Sequence, residues 1–280
     1  MEVNMELNEN ILLAKKYLVD SIYRSVNIEG IAMTYPDTQT VVEGMSVAGY
    51  KVSEIDAVND LKHGWEWLLS HIDNNINIET LKTLNRILGK YTVSNAGSIR
   101  GPFDADIRIG GTDWTPDIPP RDEIIQQNIN ACMYSNDTLE NALELFCLCA
   151  RGQYFLDGNK RTATLFTNMY MIKNGCGIFS IPVKLKNDFY KLLIKFYETN
   201  DPSALKIFFR ENCITTKKEK SLGDKLVFLR ENNNFTREKS AKTLNLPADT
   251  LYAYERDELV PDKSTLKKLC DLYDIDMDRL

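Results

Sequence analysis

Between Gln153 and Thr164 the chain reads Gln-Tyr-Phe-Leu-Asp-Gly-Asn-Lys-Arg-Thr-Ala-Thr, a stretch that gathers a metal ligand, backbone donors and cations. Asp157 offers hard carboxylate oxygens suited to Mg²⁺, and Lys160 and Arg161 offer positive charge to phosphate oxygens. Gly158 and Asn159 tolerate left-handed backbone, and they open a helix-forming run from Lys160 to Lys173. Such a turn aims unpaired N–H groups and the positive end of a helix dipole at one spot. Phosphate binding is the predicted chemistry. On residue types alone, the alternative is a helix start that carries charge.

The elements that position this turn are helical. Residues 8–28 carry Ile11, Leu12, Ala14, Leu18 and Ile22 at helical spacing and predict one amphipathic helix. Ser53 to about Ile72, with Val58, Leu61, Trp65 and Leu68 on one stripe, predicts another, and Glu79–Leu88 a third. His63 and His71, the two histidines of the chain, lie two turns apart on the second of these, which predicts packing or surface roles rather than a shared ion. Further helices are predicted over Arg121–Tyr134, Thr138–Ala150, Leu185–Tyr197 and Ser203–Glu211. Residues 94–120 break the rhythm with glycines and prolines, and Ile107-Arg108-Ile109 before Gly110-Gly111 predicts a short hairpin arm. The fold class predicted is mainly α: a helical bundle with a small β-hairpin and a second, all-α domain.

The 280 residues, 43% of them apolar, suffice for one large domain and a smaller one. No apolar run approaches the ~18 residues of a membrane helix, and the acidic start lacks the pattern of a secretory signal, so no membrane partner and a cytosolic location are expected. The six cysteines are scattered without Cys-x-x-Cys units and read as reduced core residues. A net charge of −6 gives no global pull toward nucleic acid.

The central stretch resembles the signature of the Fic/Doc family, His-x-Phe-x-Asp/Glu-Gly-Asn-Gly/Lys-Arg, at Phe155, Asp157, Gly158, Asn159 and Arg161. The resemblance extends over roughly residues 25–213. Fic members transfer AMP from ATP to protein hydroxyls, and Doc members transfer phosphate. The resemblance implies ATP and Mg²⁺ as cofactors, a target protein as partner, and Gly158, Asn159, Lys160 and Arg161 as nucleotide-binding residues. Asp157 would hold the metal, and Arg161 would steady the leaving pyrophosphate. Gln153 stands where the family has its catalytic His, and an amide has no basic lone pair near neutral pH.

Ser25-Val-Asn-Ile-Glu29-Gly30 matches the family's inhibitory motif, in which the Glu pairs with a second Arg three residues after the first. Thr164 occupies that second position here, so Glu29 is expected to contact Lys160 or Arg161 instead. Ile107, Arg108, Ile109 and Gly110 resemble the family's flap, which aligns a target backbone by strand addition. Gly97-Ser-Ile-Arg100 and Pro119-Pro120 fall where AMP-transferring members have a Gly-x-x-Arg and paired prolines. The expected domains are 1–214, with an inhibitory helix over about 8–30, a linker at 215–221, and 222–280.

The last of these resembles the Cro-repressor type of helix-turn-helix, with Ala248 to Arg256 as recognition helix. Thr236, Arg237, Thr250, Tyr252 and Arg256 are its candidate DNA contacts. Residues 221–280 hold ten Lys/Arg against twelve Asp/Glu, a net of −2, so a protein-interaction module on the same scaffold is the alternative. Two functions therefore stand side by side: a Fic-type nucleotidyltransferase lacking the motif His, and a catalytically silent nucleotide-binding regulator that contacts DNA.

Overall fold

The computed structural model describes residues 5–90, 95–216 and 221–277, so Ser94, linker residues 217–220 and the last three positions lie outside it. Two compact units emerge: residues up to Met33 with Asp37–Thr216, and Thr34–Pro36 with the chain beyond residue 216. The regular elements of the described chain are fourteen α-helices, a 3-10 turn at Val183–Leu185 and one pair of short strands.

In the first unit the helices are α1 (Leu7–Lys16), α2 (Leu18–Ile28), α3 (Tyr35–Val42, which begins in the other unit), α4 (Val52–Ser70), α5 (Ile78–Leu88), α6 (Asp122–Cys132), α7 (Thr138–Gly152), α8 (Asn159–Lys173), α9 (Lys186–Thr199) and α10 (Ser203–Asn212). Helix α8 is the centre. It is buried on nearly every side, from Leu165 and Phe166 to Met171 and Ile172, and it takes polar residues such as Thr167 and Asn168 into the core with it. Helices α7, α5, α4 and α1 pack against it. The stripe predicted on α4 is in place, with Val58, Leu61, Trp65 and Leu68 each at most 1% exposed.

The single N-terminal helix expected over 8–28 is instead two. Tyr17, with φ −97° and ψ 14°, ends α1 and precedes α2. The periodicity survives this break because each half keeps its own buried face, so the pattern alone does not reveal it. Helix α3 was not predicted.

Strands β1 (Ile178–Phe179) and β2 (Ile214–Thr215) pair antiparallel, Ile178 opposite Thr215 and Phe179 opposite Ile214. Thr215, read from sequence as the first linker residue, is therefore a ladder residue. Asn168 on α8 clamps this ribbon, its Nδ2 donating to the Phe179 carbonyl and its Oδ1 accepting from the Phe179 N–H, both at 2.8 Å. The Phe209 ring meets Phe146 and Phe179 edge-on, and those two are tilted to each other, all within 5.2 Å, tying α7, β1 and α10 together.

The β-pairing expected at Ile107–Gly111 is not formed. Those residues form an arm without regular structure that turns at Gly110–Gly111. The return limb is held elsewhere: the Thr112 hydroxyl donates to Glu198 at 2.6 Å, and Trp114 stacks on Tyr197 at 5.0 Å.

The second unit holds α11 (Leu222–Asn232), α12 (Arg237–Leu244), α13 (Ala248–Glu255) and α14 (Lys263–Leu272) around Leu226, Ala241, Leu251, Leu269 and Tyr273. Ser221, Thr236 and Asp262 cap three of these helices through their side chains. All six cysteines are free thiols, and both histidines are exposed, His71 stacked on Trp67.

Candidate functional site

Helix α7 ends at Gly152, and Gln153 takes φ 42° and ψ 50°, the left-handed conformation that reverses the chain. Five residues later Gly158, at φ 76°, starts α8 with no side-chain cap. The first-turn N–H groups of α8 are thus left to face the loop mouth, the geometry of an anion site.

The Asn159 side chain staples the turn from within. Its Oδ1 accepts from Phe155 N–H at 2.9 Å, and its Nδ2 donates to the Phe155 carbonyl at 2.7 Å and to Gln153 Oε1 at 3.1 Å. Asn159, which the family resemblance places among the nucleotide-binding residues, has its side chain committed to the loop.

Two residues not assigned roles from sequence complete the frame. Asn85 on α5 donates to the Asp157 carbonyl at 2.9 Å and to the Thr162 hydroxyl at 3.1 Å, and accepts from Gly97 N–H at 2.8 Å. Its signal in the sequence is an Asn within the apolar stripe of Leu81, Leu84 and Leu88. Arg100, 6% exposed, donates from Nε to the Gln153 carbonyl at 2.6 Å and from its backbone to the Tyr154 carbonyl at 2.9 Å, and its Nη2 reaches the Asp117 carbonyl. It caps the C-terminal end of α7 with positive charge.

Gln153 is 5% exposed and fully engaged: Nε2 donates to the Ala150 carbonyl at 2.6 Å and lies 3.4 Å from the Tyr197 hydroxyl, while Oε1 takes the Asn159 donor. No atom of this amide is placed to accept a proton from a substrate. Asp157 is half-exposed and pairs through Oδ2 with Arg161 Nη2 at 3.0 Å. Arg161 also donates from Nη1 to the Leu88 carbonyl at 3.3 Å.

Lys160 Nζ stands 3.5 Å from Glu29 Oε2 and lies over the Tyr190 ring, 5.7 Å from its centroid. Burial, the largest single effect, lowers the Lys160 pKa, but the Glu29 carboxylate and Tyr190 together outweigh it and raise the pKa above the ordinary lysine value, keeping the cation. Glu29 is delivered by the C-terminus of α2, whose last carbonyls are held from α9: Tyr190 donates to Ile28 at 2.7 Å and Lys186 to Asn27 at 2.6 Å. The Thr164 hydroxyl turns back onto the Lys160 carbonyl at 2.9 Å. Between Ser25, Glu29 and Thr164 only about 20 Å³ of space remains.

Above the turn lies a cleft of about 400 Å³, bounded by Gln153, Asp157 to Lys160, Glu29, Tyr190 and the Ile107–Gly110 arm. All four predicted arm residues, Ile107, Arg108, Ile109 and Gly110, line it, although they form no strand. A larger hollow of about 560 Å³ runs past Trp114, Arg151 and Pro202 but touches none of Asp157, Lys160 and Arg161. Among the described residues no group of three His, Cys, Asp or Glu could hold a metal. Any ion here would use Asp157 together with a ligand's own oxygens.

In the second unit the expected DNA contacts are largely turned inward. Arg237 Nε pairs with Glu255 at 2.6 Å, Arg256 Nη2 with Glu258 at 2.6 Å, and the Tyr252 hydroxyl donates to Glu238 at 2.8 Å. Thr236 caps α12 and Thr250 is half-buried near the start of α13.

Comparison with known proteins adds the following. Residues 75–171 match the Fic/DOC family and residues 228–280 match the Helix-turn-helix family. A protein adenylyltransferase fic-1 of Caenorhabditis briggsae is 26% identical over 185 residues, covering 61% of this chain and 35% of that protein. The chain thus spans about a third of the length of that relative. The HTH-type transcriptional regulator ImmR of Bacillus subtilis is 40% identical over 60 residues, 21% of this chain and 47% of that one. Among solved structures, Fic-1 (residues 134–508) of C. elegans superposes with a TM-score of 0.59 at 18% identity, over 72% of this chain and 62% of the other, a likeness of fold.

Proposed function

We propose that this chain, a Fic/DOC domain joined to a helix-turn-helix domain, binds the phosphates of ATP at the N-terminus of α8 and acts on a target protein as a slow adenylyltransferase. The observation that carries the nucleotide reading is the convergence of the uncapped first turn of α8, Lys160 and the half-exposed Asp157 on one 400 Å³ cleft, with Arg161 behind them paired to Asp157. Asp157 fits Mg²⁺: its Oδ1 makes no hydrogen bond among the described residues, and Mg²⁺ is commonly held by one or two carboxylates together with phosphate oxygens and water. When bound, the metal supplies charge neutralisation at the phosphates.

In AMP transfer a target hydroxyl oxygen attacks the α-phosphorus, the bond to the β-phosphate oxygen breaks, and pyrophosphate leaves. Arg161 and the α8 dipole would stabilise the charge on the leaving group. The proton of the hydroxyl has no acceptor at Gln153, so it passes to water or to the substrate itself. The loss of a positioned base costs roughly 10²- to 10⁴-fold. The arm at Ile107–Gly110 would meet the target backbone, and Glu29, by holding Lys160, would restrain nucleotide binding.

A second reading is a silent nucleotide-responsive regulator acting through its helix-turn-helix. It is favoured by the engagement of both ends of the Gln153 amide. The two are separated by incubating the full chain, as wild type and Gln153→His, with ATP labelled at the α-phosphate, Mg²⁺ and cell lysate. Label on protein with the wild type supports transfer. Label only with Gln153→His supports the silent reading. No ATP binding by calorimetry overturns both.

A further inference from the structure

Two buried charged groups on facing helices have polar atoms without partners. Asp60 on α4 is 1% exposed, and among the described residues neither of its carboxylate oxygens has a hydrogen-bond partner. Arg161 on α8 is 9% exposed, and its Nε likewise has no acceptor among the described residues. The helices approach closely beside them, since a Cβ added at Gly64 would lie 2.6 Å from Leu165 Cδ1. The two helices run in the same direction, since Lys173 at the end of α8 donates to the Asp73 and Asn74 carbonyls just past the end of α4. One helical turn earlier on each stand Asp60 and Arg161, so the same register sets the two charges on facing sides. The other charges acting on Asp60 are Asp56 on its own helix and Lys90 just past α5, and of the cations Arg161 acts most strongly.

An ionised carboxylate kept from water without a partner is costly, so its placement behind a phosphate-binding arginine points to a state in which it is paired. The present contacts of Arg161 indicate that state. Its Nη2 holds Asp157 at 3.0 Å, the carboxylate that a metal-bound nucleotide would claim. A guanidinium and a divalent cation on one carboxylate repel each other, and occupation of Asp157 frees Arg161 for another acid.

We propose that Asp60 is a positioning residue that receives Arg161 when Mg²⁺-nucleotide takes Asp157, pairing with the guanidinium from behind and holding it on the phosphates. The exchange rests on the reading of the α8 turn as a Mg²⁺-nucleotide site. It makes Asp60 a determinant of metal-dependent affinity without touching substrate.

The test measures ATP binding to the full chain by calorimetry, with Mg²⁺ and with EDTA, for wild type, Asp60→Asn and Asp157→Asn. Asp60→Asn is expected to keep the metal-free affinity and to lose roughly threefold or more of the gain that Mg²⁺ brings. Asp157→Asn is expected to abolish that gain. An undiminished gain in Asp60→Asn overturns the inference and leaves the nucleotide reading intact, whereas a wild type that binds no ATP under either condition overturns both. Should Asp60→Asn fail to fold, the Arg161 Nε–H resonance of ¹⁵N-labelled wild type, identified by its loss in Arg161→Lys, decides. A shift with Mg²⁺-ATP beyond that with ATP in EDTA supports the exchange, and an equal or absent shift overturns it.

Discussion

Glu29 and Lys160 meet at the mouth of the cleft, carboxylate oxygen to ammonium 3.5 Å, each side chain about a quarter exposed. Lys160 is one of two consecutive cations at the start of α8, and Glu29 engages it while Asp157 engages the other. Both positive charges at the start of α8 are thus partly neutralised by the protein's own acids.

Replacing Glu29 by Gln should therefore tighten ATP binding. A partly exposed pair of this kind is worth about 1 kcal/mol, or roughly fivefold in Kd. Calorimetry with Mg²⁺ checks it; an unchanged Kd would remove Glu29 from the site.

Gln153→His should raise label transfer to target protein by ~10² to 10⁴. The gained activity should rise with pH through about 6.5 as the imidazole becomes neutral, a dependence the wild type lacks. Initial rates from pH 5.5 to 8 provide the measurement.

Asp60→Asn should stabilise the fold at pH 8. Burial raises the Asp60 pKa from 3.8 to about 6, against the opposing pull of Arg161. A carboxyl whose pKa is higher folded than unfolded favours the folded state fully below pH about 4, and this benefit is lost as pH rises through about 6. The neutral amide escapes the penalty, by on the order of 2 kcal/mol at pH 8, with the advantage over wild type shrinking toward pH 4. Melting curves at the two pH values read it, and a Tm lowered at pH 8 would contradict the account.

Asn85→Ala removes the link between α5 and the turn. The Asp157 carbonyl and the Gly97 N–H lose their partner at a site 1% exposed, so a loss of about 2 kcal/mol is expected. Weaker ATP binding should accompany the lower Tm. Stability lost without any change in ATP affinity would confine Asn85 to the scaffold.

The helix-turn-helix reading predicts duplex binding whose affinity falls as salt rises from 50 to 200 mM, since each phosphate contact releases counterions. With a net of −2, ten Lys/Arg against twelve Asp/Glu over residues 221–280, and with Arg237 and Arg256 paired internally, the slope should be shallow. Anisotropy with a labelled duplex measures it. Binding that is absent at 50 mM would favour the protein-interaction module.

What the sequence determined by itself is the local part. The turn from Gln153 to Arg161, the helices on either side, the absence of the motif His and the helix-turn-helix of the tail were legible because residue types at short spacing dictate backbone and charge there. Tertiary structure decided what reaches that turn from a distance. Asn85 and Asp60 arrive from other helices and read locally as ordinary polar residues, and Arg100, legible as the Arg of a Gly-x-x-Arg, has its contact with the Gln153 carbonyl set by the fold. The arm at Ile107–Gly111 has the composition of a hairpin but no partner strand, because Thr112 and Trp114 are held by α9. Whether Glu29 would meet Lys160 or Arg161 depended on where α9 ties down the end of α2, a constraint carried by Lys186 and Tyr190 some 160 residues away. Spacing along a chain encodes period and dihedral preference; the facing of two charges across helices is set by packing, which only the folded chain supplies.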